Sequence, residues 1–255
     1  MKITLLGTGT SMGVPMIACN CAVCRSADSR DKRTRSSVKI EYDDRIIVVD
    51  AGPDFRQQML ASGTQRLNAI LFTHEHKDHT AGLDDVRAFN WINREPSHLY
   101  GEKRVLDALK REYSYAFKAK DERYPGVPEL LLNEIDLNPF VAAGLTVQPI
   151  RVFHHKMPVL GFRIGDFSYI TDGSLIPDES MTLIRNSRVL VINALRIEPH
   201  ISHFSLSQAL EVIEELQPER AYLTHISHHL GFHEEVSKKL PPNVFLGYDG
   251  LEIDI

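Results

Sequence analysis

Leu67-Asn68-Ala69-Ile70-Leu71-Phe72-Thr73-His74-Glu75-His76-Lys77-Asp78-His79-Thr80-Ala81-Gly82-Leu83 is the stretch that decides how this chain is read. An apolar run of strand length delivers three imidazoles and the Asp78 carboxylate within six residues. These are the donors that borderline divalent metals prefer. His74 and His76 are two apart, so in extended chain both project to one side. Asp78 and His79 follow a turn and face a second point nearby. The spacing therefore predicts two metals. A polar loop that is His-rich by accident is the plain alternative, and such a density of ligand types is far from ordinary loop composition.

Outward from this stretch the chain alternates strands and helices. Met1 to Leu6 reads as a strand, followed by the flexible turn Gly7-Thr8-Gly9-Thr10-Ser11-Met12-Gly13. Ser37 to Tyr42 and Arg45 to Asp50 read as a hairpin across Asp43-Asp44. Asp54 to Ala61 reads as a short helix with Asp54 as its cap, and Thr80 to Asn90 and Glu102 to Lys118 as further helices. Pro125 and Pro128 break any regular element between Asp121 and Asn138. In the second half, Leu145 to Phe153 is a strand ending in His154-His155. Gly161 to Ile164 and Phe167 to Thr171 form a hairpin ending at Asp172. Val189 to Asn193 and Ala221 to Thr224 are buried strands, the second ending at His225. Leu206, Ala209, Leu210, Ile213 and Leu216 fall at helical spacing. Val244 to Tyr248 and Leu251 to Ile255 are expected to close the sheet. The pattern predicts an α/β fold with its chemistry on loops at one sheet edge.

The 255 residues are 43% hydrophobic and 25% charged, with a formal net charge of −5. This is an ordinary globular composition, and the chain is expected to form a single domain over 1–255. The charge balance gives no nucleic-acid footprint. No apolar stretch approaches the roughly 20 residues a membrane helix needs, and the N-terminus does not resemble a signal peptide, so no membrane association and a cytoplasmic location are expected. The three cysteines, Cys19, Cys21 and Cys24, share one short loop, which argues for a metal and against a disulfide framework. Three thiolates at this spacing can wrap one side of a tetrahedral Zn²⁺.

Thr73 to His79, followed in order by a His at a strand end, an Asp after a hairpin strand and a His after a short strand, resembles the signature of the metallo-β-lactamase fold superfamily. The resemblance implies an αββα four-layer sandwich with a binuclear metal site at one edge of the sheets. It implies His74, His76 and His155 on one metal, Asp78, His79 and His225 on the other, and Asp172 between them. Asp50, in Asp-Ala-Gly, matches an Asp that orients ligand imidazoles. His154 is the rival of His155, which is preferred because its interval to Gly161 is the one similar proteins show.

The cysteine loop narrows the resemblance. With Gly9-x-x-x-Gly13-Val14-Pro15, Thr224-His225-Ile226-Ser227-His228 and Asp249-Gly250-Leu251-Glu252-Ile253, the chain looks like the phosphoribosyl cyclic phosphodiesterase family of carbon–phosphorus lyase pathways. That likeness makes His228 the fourth ligand of a structural zinc held by Cys19, Cys21 and Cys24. It places His203, ahead of a Ser-capped helix, as the residue that holds or protonates a phosphate oxygen, with His200 as the rival. Residues 94–140 have no match in that family.

The expected activity is hydrolysis of a small phosphodiester, such as a phosphoribosyl cyclic phosphate, by a hydroxide shared between two divalent ions, Zn²⁺ or Mn²⁺. Asp78 and His203 are the expected catalytic residues. Arg35, Arg87 and Arg196 are the cations available to a terminal phosphate. Hydrolysis of a carbon ester, thioester or lactone is the enzymatic alternative, with transfer-RNA 3′ processing a further one. A zinc scaffold without catalysis is the alternative of another class. A small phosphorylated substrate is the expected partner, no nucleic acid is expected, and a homodimer is compatible with the sequence.

Overall fold

The period-2 alternation of the strands produces two apolar faces per sheet, and both are covered. A computed structural model describes the backbone of residues 1–255 and every side chain except that of Lys120. The first sheet contains β1 (Lys2–Gly7), β2 (Ser37–Tyr42), β3 (Arg45–Val49), β4 (Ala69–Leu71), β5 (Ser97–Gly101) and β6 (Leu130–Glu134). The second contains β7 (Phe140–Ala142), β8 (Leu145–His154), β9 (Met157–Ile164), β10 (Phe167–Ile170), β11 (Val189–Asn193), β12 (Arg220–Thr224) and β13 (Val244–Leu246). The last strand, β14 (Leu251–Asp254), returns to pair with β1. The orders are β14-β1-β2-β3-β4-β5-β6 and β13-β12-β11-β10-β9-β8-β7. The last two strands therefore close different sheets, whereas the sequence reading assigned them to one.

Alternation decides which layer each residue joins. Ile47, Val49, Ala69 and Leu71 meet Phe167, Tyr169, Val189 and Val191 between the sheets. Val48, Ile70 and Phe72, one residue out of phase, face α1 (Phe55–Ala61), α3 (Arg87–Asn93) and α4 (Lys103–Glu112). Ile150, Val152, Ile170, Leu190, Ile192 and Leu223 face α5 (Asp178–Ile184), α6 (Leu206–Leu216) and α7 (His233–Ser237). Helix, sheet, sheet and helix stack in four layers, the αββα sandwich expected. Ser205 caps α6 in a capping box with Gln208, which fixes the start of this helix just after His203.

Some expectations need correcting. Asp54 makes no cap bond to α1; its carboxylate accepts from the Arg35 backbone N–H (2.8 Å) and guanidinium instead. The helix expected over Thr80–Asn90 is divided into α2 (Lys77–Thr80), a 3₁₀ turn (Leu83–Val86) and α3. The stretch broken by Pro125 and Pro128 ends in β6, an edge strand parallel to β5. No helix among the described residues is long and apolar enough to cross a membrane.

Candidate metal centre

Strand ends from both sheets deliver the ligand-type side chains to one edge. The approach of the first-half loops depends on missing side chains: a Cβ on Gly52 would lie 2.1 Å from the Asp78 carbonyl oxygen, and one on Gly82 would lie 2.0 Å from that of Gly52. Ala51 N–H donates to His79 O and Gly82 N–H to Ala51 O, locking the Asp50 loop against the His79 turn. Asp50, Asp172 and His225 all adopt left-handed backbone conformations, with φ of 64°, 56° and 54°. Such strain in non-glycine residues concentrates at functional sites.

Asp50 is fully buried and organises two imidazoles. It accepts the Thr73 N–H (2.9 Å) and Oγ1–H (2.8 Å), and the Nδ1–H of His79 (2.6 Å). The Thr73 hydroxyl spends its proton on Asp50, so it accepts from Nδ1 of His74 at 2.9 Å. Both rings thereby keep a proton on Nδ1 and turn Nε2 outward, the orientation expected of ligating histidines. His154 reaches the same state separately, because Nδ1 lies 2.8 Å from the Ser202 carbonyl, which can only accept.

The outward atoms converge. His74 Nε2 lies 3.0 Å from His76 Nδ1. His79 Nε2 lies 3.2 Å from Oδ2 of Asp78 and 3.2 Å from Oδ2 of Asp172. His225 Nδ1 lies 3.3 Å from Asp172 Oδ2. Asp78, His79, Asp172 and His225 offer donor atoms within 4.8 Å of one another, as do His154, Asp172 and His203. The group His74, His76 and His154 is looser, with ring centroids 4.6, 5.3 and 5.9 Å apart.

The donor chemistry fits divalent cations. Nε2 of His79 and Nδ1 of His203 are buried without hydrogen-bond partners. Lone pairs of imidazole and carboxylate about 3.2 Å apart repel unless positive charge lies between them, and bonds of about 2.0–2.1 Å to one tetrahedral ion place ligands at roughly this separation. Burial disfavours a charged His79, yet Asp172, Asp50 and Asp78 outweigh it and lift its pKa well above the usual range. Burial opposes ionisation of Asp172 too, but His225 and His79 hold it well below the carboxylate range. His203 goes the other way: burial, then the charge on His225, push it down to about 3.

His155 is not part of this group. It is exposed, has φ of 56°, and only its backbone N–H is tied down, to Ser174 Oγ. The residue brought into the site is His154, which continues the inward register of Ile150 and Val152 on β8. Of His200 and His203, it is His203 that is buried beside the cluster, its ring 4.7 Å from that of His225 and 4.5 Å from that of His154. His200 sits behind it at 5.3 Å. Ser202, Thr73, Thr10 and Ser36 were not singled out in the sequence. Thr10 Oγ1 and Ser36 Oγ each lie 3.3 Å from a His225 nitrogen, and no sequence pattern marks them.

The cysteine loop forms a second, closed group. The sulfurs of Cys19, Cys21 and Cys24 lie 3.3, 3.3 and 3.4 Å from His228 Nδ1. A tetrahedral zinc with bonds of about 2.3 Å to sulfur and 2.0–2.1 Å to nitrogen separates them by roughly 3.6 Å, so the set fits. Backbone N–H groups of Cys24 and Met16 point at Cys21 and Cys24 sulfur, both at 3.4 Å. The Cys24 N–H, ahead of the other contacts, lowers the Cys21 thiol to about 6, while burial raises that of Cys24 to about 11.

Between the two groups opens a cleft of about 470 Å³, lined by Thr10, Met12, Met16, Arg196, His200 and His203, with His228 in its wall. Away from the cleft, Asp249 ties the first strand's end to the segment before β2, accepting from Thr8 N–H and Oγ1–H (2.9 and 2.8 Å) and from Thr34 N–H and Oγ1–H (2.6 and 2.7 Å).

Fold and site together define the metallo-β-lactamase class. The chain belongs to the β-lactamase superfamily domain family, whose model matches residues 45–226. It is similar over its whole length to the crystal structure of a new diphosphatase from the PhnP family, at 37% identity and a TM-score of 0.93, covering 97% of that chain. The Zn²⁺-bound PqqB structure from Methylobacterium extorquens shares the fold at 20% identity and a TM-score of 0.81, with both chains fully covered. Among curated proteins, an octanoyltransferase of Porphyromonas gingivalis is 44% identical over 99% of this chain but only 51% of that protein. The coenzyme PQQ synthesis protein B of Xanthomonas oryzae is 30% identical over 60% of this chain and 52% of that protein. The chain thus spans about half the length of the curated relatives it matches.

Proposed function

We propose that the protein is a metal-dependent hydrolase of phosphodiesters, with a small, phosphorylated substrate. The observation that carries this reading is the buried, unpartnered Nδ1 of His203, 3.9 Å from Asp172 Oδ1 at the floor of the cleft. His74, His76 and His154 would hold one divalent ion, Asp78, His79 and His225 a second, with Asp172 between them. Bound there, such ions supply positive charge against phosphoryl oxygens and lower the pKa of a water. A PhnP-family diphosphatase as a whole-chain neighbour at 37% identity supports chemistry at phosphorus.

The chain's own residues divide the remaining work. Asp50 and Ser202 hold the Nδ1–H of His79 and His154, so each ring turns Nε2 toward the position an ion would take. Asp78, with burial opposed by His79 and His225, stays a carboxylate below neutral pH and accepts a proton from water. His203 is held neutral by burial, so it brings one N–H to a phosphoryl or leaving oxygen without adding a charge that would repel the ions. Water oxygen bonds to phosphorus as its proton passes to Asp78, the opposite P–O bond breaks, and the departing alkoxide takes up that proton, which returns Asp78 to a carboxylate.

The test is hydrolysis of bis(p-nitrophenyl) phosphate by the metal-reconstituted protein. Turnover that disappears in Asp78→Ala and His203→Ala, with unchanged circular dichroism, is the expected result. Near-normal turnover in both variants contradicts the assignment. Hydrolysis of a carbon ester or thioester is the second reading. The apolar Met12, Met16 and Leu195 in the cleft favour it, and an acyl panel cleaved faster than any phosphodiester would establish it. The cysteine group we read as a structural zinc clasp that braces the cleft wall.

A further inference from the structure

The β10–β11 ladder ends at the Ile170–Ile192 pair, so the turn that carries Asp172 lies beyond its bonds. Asn193, the last residue of β11, takes their place. It shares the parity of Val189 and Val191 and is fully buried, at the strand-end edge that carries the ligand-type side chains. Its Oδ1 accepts the Gly173 N–H (2.8 Å), and its Nδ2–H donates to the Gly173 carbonyl (3.0 Å). A peptide N–H only donates and a carbonyl only accepts, so this pair also fixes which way the amide lies. The same carbonyl accepts the N–H of Phe204, the residue after His203, at 2.7 Å. One side chain thus grips the residue that ties Asp172 to the His203 loop.

The fit leaves little slack. A Cβ on Gly173 would lie 3.2 Å from Phe204 Cε2 and 3.3 Å from Asn193 Oδ1, so the aromatic ring and the amide press on this residue together. Asp172 adopts φ of 56°, a conformation that a non-glycine residue holds only when its surroundings enforce it. Leu195, two residues beyond Asn193, completes the hub. Its N–H donates to the Phe204 carbonyl (2.9 Å), and its own carbonyl accepts the Ser227 N–H (3.0 Å) and Oγ–H (2.8 Å), between His225 and His228. Leu195 contributes only backbone groups, which every residue except proline carries. At Asn193 it is the side chain that makes the contact, and its donor and acceptor match one peptide residue.

We propose that Asn193 is a positioning residue: through Gly173 it sets Asp172 against His203, and so fixes the gap in which a reacting oxygen sits. The assignment rests on the hydrolase reading above. Asp172 Oδ1 and His203 Nδ1 stand 3.9 Å apart on loops that follow different strands, and without a shared anchor each loop would relax separately. A Leu at 193, of similar size, would leave the Gly173 N–H without an acceptor in a buried layer, and the turn would shift to answer it. An Asp would keep that acceptor but turn a second oxygen on the Gly173 carbonyl, which is tolerated only when the acid carries a proton.

Two variants test this. In the metal-reconstituted Asn193→Leu protein, kcat on bis(p-nitrophenyl) phosphate should fall about 10–100-fold, with KM changed less than about threefold. Equilibrium dialysis should show the histidine–carboxylate cluster losing about tenfold in metal affinity while the cysteine group keeps its ion. In Asn193→Asp, kcat relative to wild type should recover as pH falls from about 9 toward 6, because burial raises a carboxyl pKa and the protonated acid restores both bonds. The Asn193→Leu ratio stays flat over the same range. A merely structural role gives a lower Tm in both variants, wild-type kcat per metal-loaded protein and no recovery with pH, and that result overturns the proposal. If Asn193→Leu does not fold, the Asn193→Asp profile decides alone. A wild type that hydrolyses no phosphodiester defeats the hydrolase reading, and the dialysis comparison still decides whether Asn193 sets the cluster.

Discussion

The cysteine group and the histidine–carboxylate cluster are both candidate metal sites, yet they are built in opposite ways. Three of the four donors in the first come from residues 19–24, and all four face one another. His228 stands in the cleft wall, but the four donor atoms are turned on one another, and a tetrahedral ion would be saturated. The second draws His74 to His79 from the first sheet, and His154, Asp172 and His225 from the second. It buries lone pairs that no protein hydrogen answers, and His203 stands over it. A closed donor set favours stability, and an open one leaves positions for a reactant. They are linked through Thr224-His225-Ile226-Ser227-His228, where His225 serves one and His228 the other.

The contrast breaks most sharply at two adjacent histidines. His154→Ala is expected to lower kcat/KM on a phosphodiester on the order of 10³-fold, whereas His155→Ala changes it less than about threefold. Steady-state kinetics on both variants checks this, and the reverse order would restore the sequence preference. Asp50→Asn removes the acceptor that holds His79 and Thr73, so metal affinity of the cluster should fall about 10–100-fold while the cysteine group keeps its ion. Equilibrium dialysis separates the two.

Cys24→Ser should do the opposite, costing one zinc per chain and lowering Tm by about 5–10 °C, with a smaller effect on kcat. Calorimetry and metal analysis read both. The smallest effect lies behind the cysteine loop, where Arg33 Nη2 meets His233 Nδ1 at 3.2 Å and the His233 N–H donates to Asp31 (2.7 Å). Burial, then the charge of Arg33, hold His233 down at about 4. Its folded pKa lies below the ordinary 6.5, so the unfolded chain binds the extra proton first. Its contribution is therefore complete above pH 6.5 and is lost as pH falls from there toward 4. His233→Gln should flatten that part of the Tm profile.

The sequence made the two dense groups legible because their spacing alone brings donors together. His74 to His79 and Cys19 to Cys24 need no knowledge of the rest of the fold. The single residues depended on strand register. His154 carried a usable signal: Ile150, Val152 and His154 share one parity, as do Ala221 and Leu223 on β12 and His225 just after it. Parity places His154 inward, and the left-handed turn at His155 sends the next side chain out. Counting from Gly161 overrode that signal. The edge strands β6 and β7 were hidden by prolines and short length, and the separation of β13 from β14 is a matter of topology that no local pattern records. Thr10, Ser36 and Ser202 contribute single hydroxyl or carbonyl contacts, which sequence alone does not distinguish from loop residues.

Metal titration of the chelator-stripped protein, followed simultaneously by bound metal and by hydrolysis of bis(p-nitrophenyl) phosphate, tests the central claim most directly. The account predicts about three ions per chain. In Cys24→Ser it predicts about two, with activity still rising as those two bind. One ion per chain, bound through the cysteines and lost in Cys24→Ser together with all activity, would contradict it.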